Sequence, residues 1–169
     1  MNTPRICLFP HMGYLSETSR MVAVYKALRE RGEEPLVATH GGTYEWVLAD
    51  EGIPYDVVPP TMSVERCQAF VKANRIDGKS GHFYEPEELE ALVKEEVRYF
   101  QRNGVGVVLT GFNLSLCLSV RAAGTRYCVT HLGSWSPIIF ERGMQPPLNY
   151  LTEKIPRFIP RSWLRKLVN

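Results

Sequence analysis

The sequence lacks most of the features that single out a function class. Its four cysteines, Cys7, Cys67, Cys117 and Cys128, are scattered without CxxC spacing, so neither a zinc site nor a disulfide framework is expected. Three of them fall inside apolar segments, where a thiol behaves as a small buried hydrophobe. Charge of one sign is also missing: 20 Lys and Arg face 18 Asp and Glu, and a net charge of +2 is too weak for a nucleic-acid binder. There is no long hydrophobic run. Residues 104–120 come closest to a membrane span, but they include Gly, Thr, Asn and Ser and fall short of the roughly 20 apolar residues a span needs. The opening MNTPRICLFP has a short apolar run after Arg5 and no small-residue cleavage site, so no signal peptide is expected. Repeats and low-complexity stretches are absent as well. A cytoplasmic protein is the default reading.

What is present is the composition of a packed domain. The 169 residues are 44% hydrophobic, 22% charged and 11% aromatic, which excludes a disordered or fibrous chain and leaves room for one domain. The charge is unevenly placed. Residues 155–169 carry Arg157, Arg161, Arg165 and Lys166 and no acid, so the rest of the chain is slightly acidic. An anionic partner therefore meets the tail first.

Apolar runs alternate with amphipathic segments. Residues 5–10, 36–40, 55–59, 106–110 and 127–132 read as five strands. Between them, Ser16 or Thr18 is placed to cap a helix running to about Arg31, with Met21, Val22, Tyr25 and Leu28 on one face and Gly32 after its end. A short helix passes through Trp46, Val47 and Leu48, and VERCQAFVKA suits another. Glu85 to Asn103 has Pro86 in its first turn, acids over 85–90, and Leu89, Leu92, Val93, Val97 and Phe100 on a shared face. NLSLCLSVRAAG is the last helix. Near-continuous apolar strands separated by helices predict a Rossmann-like α/β fold, a parallel sheet of at least five strands covered on both faces. This lobe is expected over residues 1–140. A Pro-rich basic tail follows over 141–169, with five of the chain's twelve prolines between 137 and 160.

In an open parallel sheet, ligands bind beyond the carboxyl ends of the strands. That rule singles out His11 after the first strand, His40 ending the second and His131 ending the fifth. Each is able to take a proton from a hydroxyl near neutral pH, or is simply a polar residue hydrogen-bonded where the chain leaves the core. No carboxylate sits beside them in sequence, so no metal site is expected. The turn PHMGYLSETSR has one glycine and matches neither GxGxxG nor a P-loop. Aromatics crowd the expected loops. Phe83, Phe112 and Trp135 among them suit a cleft for a ring-containing or apolar acceptor, or ordinary packing. The tail residues Phe158, Ile159, Trp163, Leu164 and Leu167, mixed with four cations, suit either an anionic membrane surface or docking on a neighbouring domain.

Three stretches carry a resemblance: ICLFPHMGYLSETSRMVAVYKALRERGEEPLVATH, VLADEGIPYDVVPP and VVLTGFNLSLCLSVRAAGTRYCVTHLGSWSP. In order and spacing they resemble the N-terminal, acceptor-binding lobe of GT-B glycosyltransferases, the group of UDP-sugar transferases and MurG-like enzymes. The resemblance implies a hexosyltransferase-type enzyme that moves a sugar from a nucleotide-sugar donor to a hydroxyl of a small or lipid-like acceptor. It implies no tightly bound cofactor. The UDP- or dTDP-sugar is a co-substrate held mainly by a C-terminal donor lobe or subunit, without which this chain catalyses little. The tail would pack on that lobe or meet the inner membrane face peripherally, and no nucleic-acid partner is implied. The likeness makes His11 the base, Tyr14 a positioning residue and the Gly13 turn a site of close backbone approach. His40, Phe83, Phe112, His131 and Trp135 then line the acceptor side. Two departures stand out. The family often has Gly-His where this chain has Gly13-Tyr14, and an acid after the fourth strand where this chain has Gly111. The missing pair fits the alternative reading, a degenerate GT-B-like binding module without chemistry.

Overall fold

The computed structural model describes residues 4–73 and 83–130, all of which belong to one compact unit. The elements run β1 (Arg5–Leu8), α1 (Leu15–Glu30), β2 (Leu36–Thr39), α2 (Trp46–Asp50), β3 (Asp56–Val57), α3 (Val64–Ala73), α4 (Pro86–Asn103), β4 (Val105–Thr110), α5 (Leu116–Ala123) and β5 (Arg126–Val129). The five strands form a parallel sheet in the order β3-β2-β1-β4-β5. Chain order reverses at β1, whose neighbours are β2 and β4, so the topological switch point lies between β1 and β4.

The pleat explains why both faces are covered. On β1 and its continuation, Cys7 and Phe9 point to one face and Leu8 to the other, the period of two that any strand imposes. Cys7 and Phe9 pack with Tyr99 and Phe100 of α4 and with Leu116 and Val120 of α5. Leu8 packs with Met21 and Val22 of α1, Val37 of β2 and Leu48 of α2. Phe9 and Phe100 are fully buried and meet edge to face, with ring centroids 6.1 Å apart. Each such ring contributes about 1.5–3 kcal/mol by leaving water.

Two local expectations are corrected. Neither Ser16 nor Thr18 caps α1. The helix begins at Leu15 after an extended Tyr14, whose carbonyl accepts the N–H groups of Glu17 and Thr18. Thr18 lies inside the first turn, and its hydroxyl donates back to the Tyr14 carbonyl at 3.1 Å. The strand expected over 5–10 pairs only through Leu8, although Phe9 and Pro10 stay buried. The helix at Glu85 follows its sequence signals: Pro86 is in its first turn, and Glu85 and Glu88 satisfy each other's backbone in a capping box. His131, Trp135 and the whole 141–169 tail lie outside the described residues. No helix among the described residues is long and apolar enough to cross a membrane.

Candidate functional site

The turn after β1 carries His11, Met12, Gly13 and Tyr14 into α1. His11 is buried, and its ring lies 4.3 Å from that of Phe70, the fully buried aromatic of α3. The Gly13 N–H donates to His11 Nδ1 at 3.0 Å, a contact glycine makes possible: a Cβ at Gly13 would lie 2.7 Å from His11 Cε1. That bond fixes the tautomer. Nδ1 holds the lone pair, and Nε2 carries the proton of the neutral ring. Burial, then His40 and Arg66 nearby, lowers the ring's pKa to about 4, so it is neutral at pH 7. Nε2 is buried and has no hydrogen-bond partner among the described residues. His11 therefore sits at the expected place but offers a donor there.

The acid of this region comes from α1. Glu17 is almost completely buried at the helix N-terminus, and its carboxylate crosses the switch point. Oε1 accepts the His11 N–H (3.0 Å) and the Gly111 N–H (3.1 Å), and lies 3.3 Å from the Thr110 hydroxyl, whose proton goes to the Phe9 carbonyl at 2.7 Å. Oε2 has no partner among the described residues. A Cβ at Gly111 would meet Glu17 Cγ at 3.0 Å and Cδ at 3.1 Å, so the space a side chain would use there is filled by Glu17. Burial raises the Glu17 pKa above 4.5, against the hydrogen bonds that lower it.

Aromatic rings wall the same end of the sheet. Around Phe70 stand His11, Phe83 at 5.2 Å, Tyr84 at 5.3 Å and Phe112 at 6.0 Å between ring centroids. Tyr14 lies 5.7 Å from His11 and meets Phe112 edge-on at 5.6 Å. Tyr14, Phe83, Tyr84 and Phe112 are only half buried. The segment bearing Phe83 is held by Arg66 of α3, which forks onto Glu88 with two 2.7 Å contacts, donates to the Phe83 carbonyl and lies over the Tyr84 ring. Thus Gly13, Tyr14, Phe83 and Phe112 are brought together with His11.

His40 is placed differently. It is buried, with Nδ1 2.8 Å from the Val58 carbonyl and Nε2 2.8 Å from Glu96 Oε1. Glu96, wholly buried on α4, also receives the Ser115 hydroxyl at 2.5 Å on Oε1 and that of Ser119 on Oε2. Ser115 Oγ lies 2.9 Å from Asn113 Oδ1. Both ring nitrogens of His40 are engaged within the lobe. Its link to the site is a cavity of about 10 Å³ lined by His11, Thr39, His40 and Asn113, room for one water. A roomier groove of about 590 Å³ runs along β3 and α4, between Asp56 and Arg102, and shares no residue with this crevice. No group of three or more metal-ligating side chains exists among the described residues.

Glu17, Phe70, Glu96 and Asn113 are missing from the sequence-based candidates. Glu17 reads in sequence as an ordinary first-turn acid, and Phe70 as one apolar residue of a short helix. Only the pairing of β1 with β4 brings Glu17 under Gly111.

No protein-family model matches the chain, and no curated protein matches it. Solved structures do. Acinetobacter baumannii MurG is similar with a TM-score of 0.53 at 16% identity, over 76% of this chain and 35% of that one. The glycosyltransferase SsfS6 of Streptomyces sp. SF2575, solved with thymidine diphosphate, gives 0.52 at 19% identity, over 89% of this chain and 45% of that one. The glycosyltransferase SnogD from Streptomyces nogalater gives 0.48 at 17% identity, over 90% and 42%. The first two place the fold: a Rossmann-like α/β lobe of the kind found in GT-B glycosyltransferases. The chain spans less than half the length of either.

Proposed function

We propose that this chain is the acceptor-binding half of a glycosyltransferase. In this reading a sugar moves from a nucleotide-sugar donor, a UDP- or dTDP-sugar held mainly by a C-terminal lobe or subunit, to a hydroxyl of a small or lipid-like acceptor. The observation that carries it is the turn at the switch point, where a buried His11 Nε2–H has no partner among the described residues and half-buried aromatic rings stand around it. A ring-containing or apolar acceptor finds stacking surface there, and its hydroxyl finds a donor. Tyr14 positions the acceptor, and Phe83 and Phe112 line its path; His131 and Trp135 extend that path in the resemblance. His40 supports the site through Glu96 and Val58. The SsfS6 structure, which holds thymidine diphosphate, supports a nucleotide-linked donor for the assembled enzyme. The cytoplasm, with or without contact at the inner membrane face through the tail, is the setting this chemistry implies.

His11 acts as base only if the Gly13 N–H releases Nδ1 or the ring proton moves, because Nε2 is protonated as the lobe stands. That geometry favours a second reading, a GT-B-like binding module without chemistry. The deciding experiment joins the chain to its donor lobe and assays sugar transfer to an acceptor panel, for wild type and His11→Ala. Transfer lost in His11→Ala at unchanged acceptor affinity supports the base. Transfer kept in the variant removes His11 from the chemistry, and acceptor binding without transfer in wild type favours the binding module.

A further inference from the structure

The turns that carry His11 and Phe112 belong to different strands, and a single carboxylate joins them. Glu17 Oε1 receives the backbone N–H of His11 from the β1 side and the Gly111 N–H from the β4 side, with the Thr110 hydroxyl 3.3 Å away. Two backbone donors converging on one buried oxygen cross-link the two turns, beside the Phe9 N–H to the Leu109 carbonyl and the Thr110 hydroxyl to the Phe9 carbonyl at 2.7 Å. The absence of a side chain at Gly111 is the condition for this, since a Cβ there would press on Glu17 Cγ and Cδ.

We propose that Glu17 is the positioning acid of this site, supplied by α1 across the switch point, and that its carboxylate holds the His11 ring and the Phe112 turn in the arrangement that meets a ligand. The inference rests on the acceptor-lobe reading only for the identity of that ligand. Glu17 need not touch it. Its partly engaged carboxylate acts through the His11 backbone, which sets where Gly13 N–H meets Nδ1 and hence which ring nitrogen keeps the proton. The titratable groups facing Glu17 are His11 from the β1 turn and Tyr127 of β5, whose phenol is pushed further up by the Glu17 charge and so stays silent in acid. Arg20, on the same helix, is engaged with the Thr130 carbonyl.

The test is nuclear magnetic resonance on the 169-residue chain, which needs neither donor lobe nor known acceptor. The His11 and Gly111 amide resonances are expected to titrate together, with a midpoint above 4.5, and Glu17→Gln is expected to abolish that step. The ring 15N shifts of His11 should report the Nε2–H form in wild type and a mixture of tautomers in Glu17→Ala. Amides that ignore Glu17, or a ring pattern unchanged in Glu17→Ala, overturn the proposal. In the two-lobe protein, Glu17→Ala should lower kcat/KM by on the order of tenfold to a hundredfold, as misplacement of a site residue does. A kcat/KM equal to wild type would reduce Glu17 to a structural group. If the spectra behave as expected and no transfer is ever found, it is the glycosyltransferase reading that fails.

Discussion

Two buried histidine–carboxylate regions stand side by side at the carboxyl ends of the strands, and they are built on opposite terms. Around His40 every polar atom is engaged: both ring nitrogens, and both oxygens of Glu96, which take His40, Ser115 and Ser119. Around His11 the accounts stay open, with Nε2 of the histidine and Oε2 of Glu17 buried and unpartnered among the described residues. Closing a buried polar network stabilises a fold, whereas a buried polar atom left unpaired costs about 1–3 kcal/mol. A fold tolerates that cost where a ligand or water is to complete the bonding. The difference separates a closed polar network from an open one, although the two histidines look alike in sequence.

The largest effect expected is in the closed region. Glu96→Ala strands His40 and two serine hydroxyls in the core and should cost about 3–5 kcal/mol, the range for removing one partner of a buried pair. Urea denaturation measures it; a loss under about 1 kcal/mol would mean the His40 region is no better partnered than the His11 region.

The open region should show itself through pH. His11 has a native pKa of about 4, against 6.5 as its ordinary value, so the unfolded chain binds the proton first. Its contribution to stability is full above pH 6.5 and is lost as pH falls toward 4. At pH 5 that amounts to about 2 kcal/mol, at 1.36 kcal/mol per unit. Glu17 works in the other direction: its raised pKa favours the native state below 4.5, and that advantage fades as pH rises through the native value. Comparing denaturation midpoints at pH 7 and pH 5 for wild type and His11→Gln isolates the histidine, and equal pH slopes in the two would show that His11 is not held neutral.

Gly111→Ala should cost about 1–3 kcal/mol by pressing a methyl group on Glu17, as overpacking does. Combining it with Glu17→Ala should recover much of the loss; a double variant no better than the sum of the singles would break the link between position 111 and Glu17. Smallest of all is Glu17→Gln at pH 7. It keeps an acceptor for the His11 and Gly111 N–H groups and removes a buried charge, so calorimetry should find a change within about 1 kcal/mol. A larger loss would put Glu17 in the same class as Glu96.

Much of the fold was legible because its signals are local. Five apolar runs mark five strands, and Pro86 with the acids after it marks the start of α4. The residues corrected at α1 show the limit. Ser16 and Thr18 are good cap residues by type, yet the entry of the chain from β1 sets the first turn at Leu15, and the backbone of Tyr14 does the capping. The candidate site was legible by half. His11 follows from the rule that ligands meet strand ends, since that rule needs only its position after the strand. Phe112 comes from the aromatics of the expected loops, and Gly13 and Tyr14 come from the family resemblance. Glu17 and Phe70 do not follow, because neither lies at a strand end.

By itself the sequence determined that strands alternate with helices, that their apolar faces demand a sheet covered on both sides, and which residues emerge at its carboxyl edge. Those outcomes depend on periods of two and 3.6 residues, which a chain carries within each segment. Only the tertiary structure decided that β1 lies between β2 and β4, and so which acid meets which turn. Glu17 and Gly111 are 94 residues apart and share a hydrogen bond because two strands pair. The same pairing leaves one buried histidine fully bonded and the other with a proton to offer.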